Sequence, residues 1–249
     1  MAKVYCRETQ GEGLKVMRTL ILVPVIHTSA DLGSLAKDVA KGGIAFSGGD
    51  IWEKHNSTVE GFWNIISDYF NSIDVSGMNI YQDGMIADGA IAQKIVEEAV
   101  KAGSRNYELL ASLLGRGAVL LKAEDFNLVK EERDRLVAMT QSKSLTRTLI
   151  ALIKYKLVKS RLLDKRDKFI AMTIDETLRQ DERGILFIGA YHNVKGKLPC
   201  DIEIIEIKDT QKVREYQRLL PHCNKDRSRF EELSRYLISR GNCKTTSSR

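Results

Sequence analysis

Residues 20–26 read Leu20-Ile21-Leu22-Val23-Pro24-Val25-Ile26, seven apolar side chains without interruption. The run is too short for a core helix and lacks the alternation of a strand with one wet face. It therefore predicts a strand covered on both sides. Residues 185–190, Ile185-Leu186-Phe187-Ile188-Gly189-Ala190, have the same character. Met78–Gln82 and Ala118–Leu121 predict shorter strands, while Ile202–Ile207 sets Glu203 and Glu206 among isoleucines, as in a partly solvated or edge strand. The intervening stretches predict helices. Ile51–Phe70 carries Trp52, Phe62, Trp63, Ile66 and Phe70 at near-helical spacing, and Gly89–Ala102 follows Asp88 as an N-cap and stops at Gly103. Asn106–Leu114, Leu128–Gln141, Lys212–Leu220 and Arg227–Arg240 complete the set, and Leu145–Leu178 is long enough to predict two helices with a break. Strands alternating with helices predict an α/β fold: a mostly parallel central sheet flanked by helices. The expected organisation is a single compact domain with helical insertions over residues 1–241, followed by a disordered tail over 242–249.

A length of 249 residues suits one domain, and 43% hydrophobic against 29% charged residues supports a buried core. The net charge of +6 is patterned. Lys208–Arg249 contributes +6 and Lys143–Lys168 contributes +7, leaving the remainder at −7. The basic helix bearing Lys154, Lys156, Lys159, Arg161, Lys165 and Lys168 raises a phosphate-binding or membrane-surface role. No nucleic-acid motif accompanies it, so nucleic acid is not the expected partner. No apolar run reaches the ~20 residues of a membrane helix, and the N-terminus has no secretory pattern. Cys6, Cys200, Cys223 and Cys243 form no paired spacing, which together predicts a cytoplasmic protein with free thiols.

In an open parallel sheet, ligands bind beyond the carboxyl ends of the strands. His27, then Thr28, Ser29 and Asp31, follow the first predicted strand, and Asp83-Gly84 the second. Glu124-Asp125 follow the third, and His192-Asn193 the fourth. Two imidazoles with carboxylates suit a divalent metal ion that keeps one position open for water and acidifies it. His27 and His192 are the candidate metal ligands, with Glu124 or Asp83 as a third ligand or general base. Asp167 falls inside the apolar stripe Leu163, Ile170, Ile174, Leu178 of the preceding helix, beside Arg166. A carboxylate aimed at the core must be paired. Arg166 and Asp167 are thus either a buried structural pair or an anchor that orients a rim histidine. The loop from Gly42-Gly43 to Gly48-Gly49 could cover the rim, and it matches no phosphate-binding fingerprint. Phe62, Trp63 and Trp52 read as core, and His55 as a surface or capping residue.

Leu162–Asp209 resembles the TraB/PrgY/GumN group, related to Tiki proteins and more distantly to the ChaN and erythromycin-esterase folds. In that group an Arg-Asp or Arg-Asn pair opens a helix, and a strand then ends in a Gly-x-x-His loop. Arg166-Asp167 and Gly189-Ala190-Tyr191-His192 match those positions. Pro24-Val25-Ile26-His27 stands where the family has its first Gly-x-x-His, and Gly117-Ala118 with Glu124-Asp125 resembles its middle motif. Three departures stand out: Pro24 replaces a glycine, Asp83-Gly84 stands at a Val-Glu-Leu-like motif, and Asp125 replaces an arginine. The resemblance implies a compact α/β domain and, for some members, metal-dependent peptidase or hydrolase activity; for others it implies peptide binding. Two functions follow as expectations: a metal-dependent hydrolase or peptidase-like protein, or a non-catalytic binder of a small molecule or peptide in the same cleft.

Overall fold

Both continuous apolar runs are central strands of one sheet. The structure, a computed structural model, describes residues 17–28, 49–140, 145–240 and 244–247. Strand β1 (Arg18–Val25) pairs in parallel with β4 (Arg183–Gly189), in register from Thr19↔Arg183 to Val25↔Gly189. On the far side of β4 lies β2 (Asn79–Gln82), and outside it β3 (Val119–Leu121), both parallel. Strand β5 (Ile202–Glu206) pairs in parallel with the other edge of β1, and β6 (Lys244–Ser247) closes that side antiparallel. The order is β3-β2-β4-β1-β5-β6, so the expected α/β architecture with a mostly parallel sheet is present.

Handedness decides which face each helix covers. From β1 to β2 to β3 the chain moves in one direction, through α1 (Gly49–Asn71), then α2 (Gly89–Lys101) and α3 (Arg105–Gly115). From β3 it reverses to reach β4, through α4 (Phe126–Thr140) and α5 (Leu145–Thr177). Right-handed crossovers keep their hand on reversal only by switching faces. Accordingly Phe62, Trp63, Ile66 and Phe70 of α1 pack on Ile21, Val23, Val25 and Phe187 on one face. Ile170, Ala171 and Ile174 of α5 pack on Leu20, Leu22, Tyr81, Leu186 and Ile188 on the other. Alternate side chains of β1 thus enter two cores, which is why its sequence shows no alternation. Each large side chain so buried contributes about 1.5–3 kcal/mol. After β5, α6 (Thr210–Leu219) and α7 (Arg227–Ile238) add Val213, Tyr216, Phe230, Leu233 and Leu237 to the α1 side.

Several expectations are corrected. Residues 145–177 form one helix of 33 residues rather than two, since the stretch contains neither glycine nor proline to break it. The tail expected to be disordered contributes β6, so β5 has partners on both edges, and Glu206 is buried rather than solvated. Glu206 accepts from the Thr210 amide (2.9 Å) and hydroxyl (2.8 Å) and pairs with Lys195, which accounts for an acid in an isoleucine strand. His55 is neither a surface nor a capping residue: it is buried, with Nδ1 2.9 Å from the Tyr216 hydroxyl, and burial pushes its pKa down to about 4. Asp88 holds the N-cap position of α2 but makes no side-chain cap.

Pro24 sits within β1 at no cost in ladder bonds. Alternate amides of β1 face opposite neighbours: Arg18 N–H donates toward Asp201 before β5, and Thr19 N–H toward Glu182 before β4. Position 24 therefore faces the β5 side, where pairing has already ended at Leu22↔Glu206. Ser29, Asp31, Cys6, Cys243 and the glycine loop 42–48 lie outside the described residues, as do the side chains of Lys154 and Lys156.

Candidate functional site

Strand β2 sends its chain onward over the α1 face, whereas its neighbour β4 sends its chain over the α5 face. The crevice between two such strand ends is where an open α/β sheet receives ligands. Residues 83 and 189–192 lie there. The Asp83 amide donates to the Phe187 carbonyl (2.9 Å), and Asp83 Oδ2 accepts the Gly189 amide (3.0 Å), so the carboxylate is fixed across the crevice. Gly189 is suited to this contact because a Cβ there would stand 3.1 Å from Asp83 Oδ2 and 3.5 Å from His192 Cδ2. The His192 amide donates to the Gly189 carbonyl (3.1 Å), forming a tight turn that returns the ring over the strand end.

His192 stands between two aspartates. Its Nδ1 lies 2.6 Å from Asp167 Oδ1, and its Nε2 lies 3.4 Å from Asp83 Oδ2. Asp167, on α5, is held in turn by the Asn193 amide at 2.8 Å. This arrangement makes Nδ1 the hydrogen-bonded nitrogen and directs Nε2 into the crevice. Burial lowers the His192 pKa, but the Asp167 hydrogen bond and the Asp83 charge outweigh it and hold the imidazole above its ordinary value.

Arg166, one residue earlier on α5, is the hub of a second group. Its Nε donates to Glu124 Oε2 (2.9 Å) and Nη2 to Asp83 Oδ1 (2.7 Å), with further bonds to Glu124 Oε1 and Glu132. Glu124 is fully buried and also accepts the Gly84 amide at 3.3 Å. Burial raises the Asp83 pKa, yet the charges of His192 and Arg166 and the Gly189 amide prevail and hold it below the usual carboxylate range. For Glu124 burial prevails over the Arg166 fork and pushes the carboxyl up. Burial opposes the Arg166 charge, but the surrounding carboxylates hold its pKa above the ordinary value. Two neighbouring carboxyls are thus driven apart, with Asp83 the one that stays ionised.

Asp83, Glu124, Arg166, Asp167, Gly189 and His192 therefore meet in one buried cluster. His27 leaves β1 at the same rim, two residues past Val25, and its ring is exposed. Asp125 belongs to α4 instead: its Oδ1 accepts the Asn127 (2.8 Å) and Leu128 (3.0 Å) amides as a helix cap. Glu132 was not singled out by its sequence, because nothing in α4 marks that position as facing Arg166. Arg214 was missed likewise, and it closes the loop after β4: Nε donates to the Ala190 carbonyl (2.7 Å) and Nη2 to the His192 carbonyl (3.3 Å).

In this arrangement the carboxylate oxygens of the cluster already have partners. Arg166 takes both oxygens of Glu124 and one of Asp83, the other Asp83 oxygen accepts an amide, and Asp167 takes His192 Nδ1. Within this cluster that leaves His192 Nε2, 3.4 Å from Asp83 Oδ2, as the nitrogen facing the crevice, with His27 at the same rim. Among the described residues no group of three or more His, Cys, Asp or Glu side chains is disposed to hold a metal ion. No described helix is long and apolar enough to cross a membrane. Comparisons with protein-family models, curated proteins and solved structures return no match for this chain.

Proposed function

We propose that the chain is a hydrolase acting on a small-molecule or peptide substrate, with His192 as its proton-transfer group. The observation that carries this reading is the line Asp167–His192–Asp83 at the crevice, with one ring nitrogen tied to a buried carboxylate and the other facing an ionised one. Arg166 keeps Asp83 charged and in place, while Asp167 fixes the tautomer and steadies the imidazolium that forms. A water bound between Nε2 and Asp83 gives one proton to neutral His192 as its oxygen attacks the substrate carbonyl. Asp83 accepts the hydrogen bond from the second hydrogen. The imidazolium then returns the proton to the departing amine or alcohol. Because the ring pKa is held above 6.5, the rate should rise with pH through that raised value.

A metal-dependent form of the same chemistry, as the TraB-like motifs imply, is a second reading, favoured by the register that sends His27 and His192 beyond the paired ends Val25 and Gly189. It requires Arg166 to release the carboxylates. One assay separates the two. Untagged protein is tested on p-nitrophenyl esters and aminoacyl-naphthylamides, before and after dialysis against a chelator. The metal-free mechanism expects turnover that survives chelation and disappears in His192→Ala. Turnover restored only by added zinc or manganese would establish the second reading. Activity equal in His192→Ala and the parent would remove both.

A further inference from the structure

The loop that carries His192 to the carboxylate-rich cluster is flanked by side chains of opposite sign. Tyr191, the third residue of the Gly-x-x-His loop, is 47% exposed. The Arg214 guanidinium carbon lies 5.8 Å from the centre of its ring, and Lys159 Nζ of α5 lies 5.7 Å from it. Arg214 is half-buried, and among the described residues it pairs with no carboxylate: its bonds go to the Ala190 and His192 carbonyls. An arginine is an expensive choice for two carbonyl bonds, since it offers five N–H groups. Those two bonds use Nε–H and one hydrogen of Nη2. They leave the end-on edge of the guanidinium, one hydrogen of Nη2 and both of Nη1, as a fork matching a planar carboxylate.

Resting on the hydrolase reading above, we propose that Arg214 is the substrate-selecting residue of this site and binds a carboxylate carried next to the bond that is cleaved. Placement argues for the short spacing. The guanidinium is bonded to His192's own carbonyl oxygen, so imidazole and guanidinium are separated by the body of one residue. A carboxylate on the fork leaves a carbonyl two or three bonds away level with the ring. Tyr191 flanks the intervening atoms, and Lys159 adds positive charge to the approach. The inner carboxylates Asp83, Glu124, Asp167 and Glu132 outnumber Arg166 and His192, so an anion is turned away from the interior and held at the mouth. The substrates selected are N-acyl amino acids or peptides cut at their last bond.

The test is binding, not turnover, so a failure of hydrolysis leaves it intact. N-acetylglycine and its neutral twin N-acetylglycinamide are titrated calorimetrically into the full chain, with inorganic phosphate as a further probe. The acid is expected to bind at least about tenfold more tightly than the amide. It should also outcompete phosphate, which can take the fork bidentately but lacks the acyl group that Tyr191 flanks. Arg214→Gln should abolish the preference, read as the ratio of acid to amide affinity within the same variant. If that variant fails to fold, Arg214→Lys serves: a point charge in place of the fork should reduce the preference to about threefold. Equal binding of acid and amide overturns the proposal. So does a preference that persists undiminished in either variant, or phosphate binding tighter than the acid.

Discussion

Replacing Arg166 with methionine keeps most of the volume of the side chain and removes its charge from three carboxylates. Glu124 is then a fully buried acid left with the Gly84 amide and the neighbouring Asp83 carboxyl, and Asp83, 16% exposed, keeps the Gly189 amide and His192. Removing one partner of a buried ion pair costs about 3–5 kcal/mol, because the remaining charge stays desolvated. Glu132, 19% exposed, can turn toward water and adds little. For a chain of this size each kcal/mol lowers the melting temperature by about 2–4 °C, so the expected drop is roughly 6–20 °C. The pH dependence tests the cause. Without the guanidinium, the Glu124 pKa in the folded state lies well above the ~4.3 of the unfolded chain. A carboxyl raised in this way favours folding below its unfolded pKa, and the advantage is lost as pH rises through the folded value. The deficit of Arg166→Met should therefore be largest near pH 7 and shrink toward pH 5. Adding Glu124→Gln should recover most of it at pH 7. Urea unfolding of parent, single and double variants at both pH values measures this. A deficit below about 1 kcal/mol, or one unchanged between the two pH values, would refute the account of Arg166 as the counter-charge of a buried acid.

Three other outcomes follow from the same geometry. The His192 ring, followed by its NMR chemical shifts, should titrate above 6.5 and fall in Asp167→Asn; the imidazolium stabilises the fold below the unfolded pKa, and that contribution is lost as pH rises through the folded one. A ring titrating at or below 6.5 would contradict the two-aspartate setting. His55 behaves oppositely: with its pKa lowered to about 4, the parent should lose roughly 2–3 kcal/mol as pH falls from 6.5 toward 4, and His55→Phe should lose less over that interval. Gly189→Ala brings a Cβ to 3.1 Å from Asp83 Oδ2 and should cost about 1–3 kcal/mol, together with a fall in any turnover that depends on His192; thermal melts indistinguishable from the parent would show that Asp83 can yield.

Much of this arrangement was legible because β1 and β4 state their burial in every residue. Seven apolar side chains in a row have one reading, a strand with two covers, and His192 at the end of the second such run marked the rim. Asp167 was visible for the converse reason, as a charge inside an apolar stripe, and it proved to be buried against His192. What stayed hidden depends on register between distant segments. Arg166 meets Glu124 across 42 residues and Asp83 across 83, separations that no local pattern encodes. The four-residue strand β6 has no apolar run at all. Its pairing comes from the free edge of β5, so its composition could only suggest a tail. The uninterrupted α5 was misread from length alone, although its lack of glycine and proline argued for continuity.

The insertion of β4 between β2 and β1 has a temporal side. A nascent chain that has not yet emitted residue 183 holds β1 and β2 but lacks the strand that joins them, so each would expose an unpaired edge to any extended segment nearby. The pairings that β4 makes span more than 100 residues, and contacts so remote in sequence are slow to form. His192, three residues past that strand, reaches Asp83 only once the middle of the sheet is closed. The crevice is therefore complete only once β4 and the loop bearing His192 have been made, although Asp83, Glu124 and Arg166 all precede them in the chain.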